Sequence, residues 1–115
     1  MNSKPETSLL FDFYGELLQA SQQRVIELYV NDDLSLSETA QILGISRQGV
    51  RDSLSRAQRK LDEYEEKLGL LKAHRLRRER DESVRSILDR IRTAEDMAQV
   101  MPLLDDIEAL LKGDD

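Results

Sequence analysis

The chain has 115 residues, a net charge of −6 at pH 7 and no cysteine, so it can form neither disulfides nor thiolate metal sites. Its acidic total disfavours a protein that coats nucleic acid, because such binding depends on neutralising phosphates. Only five glycines and two prolines interrupt a sequence rich in helix-forming residues, which predicts an all-α fold with one self-supporting core and an extension.

The N-terminal segment predicts a helix and not a targeting signal. Residues 1–7 are polar and are predicted to be frayed, whereas apolar residues recur three and four positions apart from Ser8 onward. The core-facing set is Leu10, Phe11, Tyr14, Leu17 and Leu18. Acids interrupt this apolar stretch, and no run of the chain approaches the ~20 apolar residues of a membrane span. We therefore expect a cytoplasmic protein with no membrane partner.

A second short helix is predicted between residues 21 and 33. Ser21 is expected to cap its start, and the sequence Asn-Asp-Asp at residues 31–33 to close it. Its core-facing residues are Val25, Ile26, Leu28 and Tyr29. Together with the first helix it would brace the motif that follows.

Residues 35–60 predict two helices joined by a tight turn. Ser35 and Glu38 have the spacing of a capping box, which starts a helix. Gly44 is suited to the left-handed conformation that ends one, and Ser46 can cap the next helix two residues later. The inward positions of this predicted helix-turn-helix are Leu36, Ala40, Leu43, Ile45, Val50 and Leu54.

The second helix of the motif carries the candidate binding residues. Between residues 46 and 60 the acidic chain has five basic residues and one acidic residue. A helix that enters the major groove presents its N-terminal residues to base edges, so Arg47, Gln48 and Arg51 are predicted to read bases. Phosphate contacts are predicted for Ser46, Arg56, Arg59 and Lys60.

These residues carry a resemblance to known proteins. The pattern of Ala40, Leu43, Gly44, Ile45, Val50 and Leu54 resembles the helix-turn-helix of sigma factor region 4. With the flanking sequences ELYVNDDLSLSETA and LDEYEEKL, the chain more closely resembles the YlxM-like family of small bacterial proteins over nearly its whole length. That resemblance implies a DNA-binding fold and a gene beside that of the signal recognition particle protein. Two residues depart from the usual pattern: Thr39, where a larger aliphatic is common, and Gly49, where alanine is usual.

The motif's second helix is predicted to be long. An apolar seam from Val50 to Leu71 continues its inward face, and Gly69 is a possible end. A helix from Arg47 to Leu71 would be about 37 Å long and would overhang its own domain. We therefore divide the chain into a helix-turn-helix domain at residues 1–60 and a helical extension at residues 61–115.

The extension is predicted to cover the overhanging seam. Residues 72–80 are too charged for a core and are interpreted as a solvated connector, after which an amphipathic helix resumes at Val84. Thr93, with Asp96, is predicted to cap a last helix, in which Pro102 would produce a kink or a new start. The extension could cover the seam in a homodimer, the preferred solution, or within one chain as an intramolecular bundle.

No catalytic chemistry is predicted. His74 is the only histidine and has no partner at ligand spacing, which disfavours a metal site or a general base. Gly44 and Gly49 have the spacing of a phosphate-binding loop, but Val50 and Arg51 follow where that loop needs Lys and Ser or Thr. We expect a protein that is not an enzyme and has neither cofactor nor metal.

Two functions from different classes remain open. The first is a DNA-binding regulatory protein, which the base-reading residue types favour. The alternative is an accessory factor that docks on protein or RNA of the signal recognition particle and its GTPases, which the acidic total and Gly49 favour. The signal recognition particle is considered as a partner only because of the family resemblance.

Overall fold

A computed structural model of the protein describes residues 3–113, and within that range it contains helices and no strand, which confirms the all-α prediction. The helices are α1 (Lys4–Tyr14), a 3-10 turn (Gly15–Leu17), α2 (Ala20–Ile26) continued by a π-helical turn (Glu27–Asn31), α3 (Leu36–Leu43), α4 (Arg47–Leu68), α5 (Leu70–Arg92) and α6 (Met97–Lys112). The chain divides into two compact units, Met1–Leu71 and Lys72–Asp115. Of the helices described, none is both long and apolar enough to cross a membrane.

The first helix begins earlier than predicted. Ser3 caps α1 by accepting a hydrogen bond from the backbone N–H of Glu6, and Pro5 lies in the first turn, where its missing N–H is not needed. Residues 4–7 are therefore helical and not frayed, while residues 1 and 2 lie outside the described range. At the other end, the 3-10 turn leaves Leu17 exposed and buries Leu18, so Leu17 was wrongly assigned to the core.

The second helix also begins earlier than predicted, because Gln19 takes the position assigned to Ser21. The side-chain oxygen of Gln22 accepts from the backbone N–H of Gln19. The predicted stop is confirmed: the π-helical turn ends at Asn31, and Asp33 has a positive φ of 54°.

The core of the first unit lies between α4 and the three helices before it. It is formed by Leu10, Tyr14, Leu18, Val25, Ile26, Ala40, Val50, Leu54, Ala57, Leu61 and Leu71. The seam on α4 is thus buried from Val50 to Leu61 inside this unit, by α1, α2 and α3. The helices before α4 therefore already cover this part of the seam, whereas Leu68 near its end is exposed, and the covering of that end by the C-terminal helices stays a prediction.

Two polar contacts fix α1 against α4. The Thr7 hydroxyl donates to Oε1 of Gln58 at 2.6 Å, and the Tyr14 hydroxyl donates to Oε1 of Glu65 at 2.7 Å. Both pairs are separated by 51 residues, so the two helices run in the same direction. This arrangement turns one face of α4 toward α1 and leaves the opposite face to solvent.

Helix α4 ends at Gly69, as the sequence suggested. Gly69 has a φ of 62°, the left-handed conformation that closes a helix, and its N–H donates to the carbonyl of Glu65. Helix α5 starts at the next residue, and its first N–H groups are satisfied from the core: Leu70 donates to the Tyr14 hydroxyl at 3.0 Å and Leu71 to Glu65 Oε1 at 2.9 Å. The domain boundary predicted at residue 60 falls inside α4.

The second unit corrects two predictions and excludes one of the two alternatives given for Pro102. Residues 72–80 are not a connector but part of α5, since Arg, Lys and Glu favour helix even where no core is available. The last helix is capped by Asp96, which accepts from the N–H of Gln99 at 3.0 Å, whereas Thr93 bonds to the final carbonyls of α5. Pro102 lies inside α6, which begins at Met97, so no new helix starts at the proline.

Candidate nucleic-acid interface

The corner between α3 and α4 is built by the predicted capping residues. The Ser35 hydroxyl accepts from the N–H of Glu38 at 3.0 Å, and the Glu38 carboxylate accepts from the N–H of Ser35 at 3.1 Å. Gly44 then takes φ 69° and ψ 31°, and the N–H of Ile45 reaches back to the carbonyl of Ala40 at 3.1 Å. These contacts confirm the helix-turn-helix and set the direction in which α4 leaves the turn.

The start of α4 is fixed by a second cap. The Ser46 Oγ accepts from the N–H of Gly49 at 2.9 Å. A Cβ added to Gly49 would lie 3.2 Å from that oxygen and 3.5 Å from Cδ1 of Ile45. The glycine therefore sits where the cap and the turn approach α4 closely. Because a hydroxyl can donate while it accepts, Ser46 keeps a hydrogen for an external acceptor.

The seven predicted binding residues all lie on the solvent side of the motif. Buried residues of α4 recur along one face, which is formed by Val50, Leu54, Ala57, Gln58 and Leu61. The residues predicted to bind are exposed, namely Ser46, Arg47, Gln48, Arg51, Arg56, Arg59 and Lys60. They extend over about 21 Å of helix at 1.5 Å per residue. The geometry keeps them accessible to a partner along a single helix.

The charge on this face is not neutralised from within. Across residues 3–113, Arg47, Arg51, Arg56 and Arg59 form no ion pair. Lys60 differs, because its Nζ lies 3.7 Å from a carboxylate oxygen of Glu63 one turn further on. The four arginines thus present guanidinium groups, which bind phosphates or guanine edges through paired N–H donors.

Sequence reasoning missed one residue on this face. Nε2 of Gln48 donates to Oδ1 of Asp52 at 3.0 Å, across one turn of α4. Asp52 is exposed and is the one acid between residues 46 and 60. Gln48 and Asp52 are four residues apart on a predicted helix, and this spacing would have indicated the contact from the sequence.

Two further features lie beside the interface. Ile42 in α3 and Ile45 in the turn are 54% and 45% exposed, so the inward position predicted for Ile45 is wrong and the corner has an apolar edge next to its cationic helix. Thr39 is fully buried, and its hydroxyl oxygen has no hydrogen-bond partner among residues 3–113. The departure from a larger aliphatic at this position therefore leaves an unsatisfied polar group in the core.

The single histidine lies outside the motif. His74 is half-buried in α5. In the part of the chain that the structure describes, no three His, Asp or Glu side chains converge in a group that could hold a metal ion.

Comparison with known proteins places the motif in a family. A family model described as "Putative helix-turn-helix protein, YlxM / p13 like" matches residues 1–103. The chain is 39% identical over 100 residues to a protein from Thermoanaerobacter sp. (strain X514), and the matched residues cover 87% of this chain and 86% of that protein. It is 39% identical over 99 residues to a protein from Halalkalibacterium halodurans, covering 86% and 91% of the two chains. A protein from Caldanaerobacter subterraneus is 55% identical over 67 residues, 58% of this chain and 57% of that protein.

Proposed function

Since the chain belongs to the YlxM/p13-like family of helix-turn-helix proteins, we propose that it is a DNA-binding regulatory protein that acts in the cytoplasm. In this proposal α4 enters the major groove of a duplex. Arg47, Gln48 and Arg51 contact base edges near the start of the helix. Ser46, Arg56, Arg59 and Lys60 contact phosphates and fix the position of the helix.

The observation that carries the proposal is the row of exposed arginines on α4. In a chain of net charge −6, these four arginines have no carboxylate partner within residues 3–113. Neighbouring like charges repel one another, and an anion that binds between them relieves this repulsion. A duplex supplies such an anion at regular spacing, and the acidic remainder of the chain would limit binding elsewhere.

Selection from random duplexes tests this proposal, followed by fluorescence anisotropy with the enriched sequence. We expect Arg51→Ala to weaken binding to the enriched duplex by about 1–3 kcal/mol and to relax the preference at one position. Arg59→Ala should weaken binding to all sequences alike and reduce the salt dependence by about one phosphate contact. Equal, weak binding of every duplex by the wild-type protein and Arg51→Ala would refute base reading.

A second candidate is a docking function linked to the signal recognition particle. The exposed apolar edge formed by Ile42 and Ile45 favours it, because a protein partner could cover these side chains and a duplex would not. The proposed partners are the particle's protein, its RNA or its GTPases, which follow from the family resemblance alone. A pull-down with purified particle protein and RNA, beside the duplex selection, separates the two. Loss of capture on Ile42→Ser, with duplex binding absent throughout, would favour docking.

We also propose a homodimer that forms through residues 61–115. The second unit exposes large apolar side chains, which are Leu76, Leu88, Met97, Met101, Leu104 and Leu111. A second copy could cover them, and a two-fold dimer would present two copies of α4 to two half-sites. Sedimentation equilibrium tests this at tens of micromolar protein, where a monomer would rule out the dimer.

A further inference from the structure

Between residues 46 and 60, the exposed part of α4 combines four arginines with a single carboxylate, that of Asp52. An acid at this position opposes binding of phosphates, so its role needs a separate explanation. Asp52 lies one turn into the helix, between Arg51 and Arg56 in sequence.

The contact that Asp52 makes is not the expected one. Arg56 follows Asp52 by four residues, the spacing and order that favour an ion pair on a helix. Within the described residues Arg56 forms no such pair. Oδ1 of Asp52 instead accepts from Nε2 of Gln48, 3.0 Å away. The carboxylate thus holds a neutral neighbour, and its charge is not cancelled by the adjacent arginine.

Both partners in this contact keep hydrogen-bonding capacity. Over residues 3–113 no side chain bonds to the second oxygen of Asp52, Oδ2. The Gln48 amide has a second N–H and a carbonyl oxygen, which suit N7 and N6 of adenine. In the major groove, a carboxylate can accept a hydrogen bond from the exocyclic N4 amino group of cytosine. Guanine presents only acceptors there, so its edge repels a carboxylate.

We propose that Asp52 is a specificity-determining residue of the α4 interface. Its carboxylate excludes phosphates from the centre of the face and accepts from the N4 amino group of a cytosine, while it orients Gln48 toward the neighbouring base pair. This inference rests on the proposed DNA-binding function. It assigns to Asp52 a part in choosing the sequence, whereas the arginines supply most of the attraction.

The test is the isosteric variant Asp52→Asn, which keeps an acceptor for Gln48 and removes the charge. Removing this charge acts like neutralising one more phosphate, so binding of an unrelated duplex should become about five- to tenfold tighter at 0.1 M salt. Selection with the variant should lose the preference for one C·G pair. Asp52→Ala, which also releases Gln48, should in addition relax the choice at the adjacent pair.

Glu66→Gln is the matched control, because it removes the same charge from α4 at an exposed position. That position is about 21 Å further along the helix, beyond the ~10 Å screening length at this salt. Duplex affinities of the control should match those of the wild-type protein. If Asp52→Asn binds an unrelated duplex within twofold of the control, the inference is overturned.

The result also separates this inference from the proposed function. A wild-type protein that enriches a sequence, with Asp52→Asn enriching the same sequence equally, would refute the role of Asp52 alone. A wild-type protein that enriches no sequence, and whose weak binding Arg51→Ala leaves unchanged, would refute DNA reading and with it the role of Asp52.

Discussion

Tyr14 joins three helices through one hydroxyl, and its replacement by phenylalanine is a sharp test of the fold. The hydroxyl donates to the Glu65 carboxylate of α4 at 2.7 Å and accepts from the N–H of Leu70, the first residue of α5, at 3.0 Å. The ring is almost fully buried. Tyr14→Phe leaves the ring in place and removes both bonds, so packing changes little while two polar groups lose a partner.

The size of the effect follows from the two bonds. A hydrogen bond to a charged group contributes about 1.5–3 kcal/mol, and the unsatisfied Leu70 N–H adds a further cost where water cannot reach it. Glu65 keeps its bond from Leu71, which limits the loss. We expect the free energy of unfolding to fall by about 2–3 kcal/mol. For a folded unit of this size that corresponds to a decrease in Tm of roughly 8–20 °C.

Tyr64→Phe is the matched control, because its ring lies 5.9 Å from that of Tyr14 and its hydroxyl donates to the Leu17 carbonyl in an exposed contact of 3.3 Å. Loss of that longer bond should cost less than about 1 kcal/mol. Urea unfolding followed by circular dichroism measures both variants, and hydrogen exchange reports the Leu70 amide directly. Equal losses in the two variants, or unchanged protection of Leu70, would refute the reasoning.

Three further predictions concern buried or capped groups. Thr39→Val removes the unsatisfied buried hydroxyl, so urea unfolding should show that the free energy of unfolding rises by about 1 kcal/mol. Thr7→Val is the control and should be destabilising, because it breaks the hydrogen bond to Gln58. A decrease in the free energy of unfolding in both variants would contradict this prediction. Gly49→Ala should increase the free energy of unfolding by about 0.5–1 kcal/mol and so raise Tm, because alanine favours helix more than glycine does. The cap tolerates a Cβ at this position, since Glu38 has one and is capped by Ser35 in the same way. A lower Tm would mean that the Ser46 side chain cannot move away from the added Cβ. Burial, followed by the hydrogen bond to Glu65, raises the pKa of Tyr14 above 10.0, so its contribution is intact below pH 10 and is lost as the pH rises through the folded-state pKa. The decline of the urea midpoint above pH 10 should therefore be shallower in Tyr14→Phe, and parallel declines would show that Tyr14 is not responsible.

The parts of the fold that the sequence predicted well depend on contacts between near neighbours. Ser35, Glu38, Gly44 and Ser46 each act within a few residues, so their types and spacing determine the corner without knowledge of the rest. The starts of α1 and α2 were misplaced because Ser3 and Gln19 were weaker signals than the apolar periodicity that followed them.

The cover of the α4 seam could not be predicted in the same way. The packing of α1 on α4 depends on long-range contacts such as those of Thr7 with Gln58 and Tyr14 with Glu65, and the periodicity of apolar residues does not specify which helices pair. In the candidate interface, residue types identified exposed cations but not the contact between Gln48 and Asp52, which depends on rotamers as well as spacing.

The parallel pairing of α1 with α4 has a practical consequence for the transfer of α4 to another protein. Thr7 and Tyr14 hold α4 in place through hydrogen bonds to Gln58 and Glu65. A peptide of residues 35–60 would lose both hydrogen bonds and most of the apolar residues that pack on α4. Such a peptide would contain only α3 and the first 14 residues of α4, and isolated helices this short are marginally stable in water. The first helical turns of the chain are thus as necessary to the stability of α4 as its own caps.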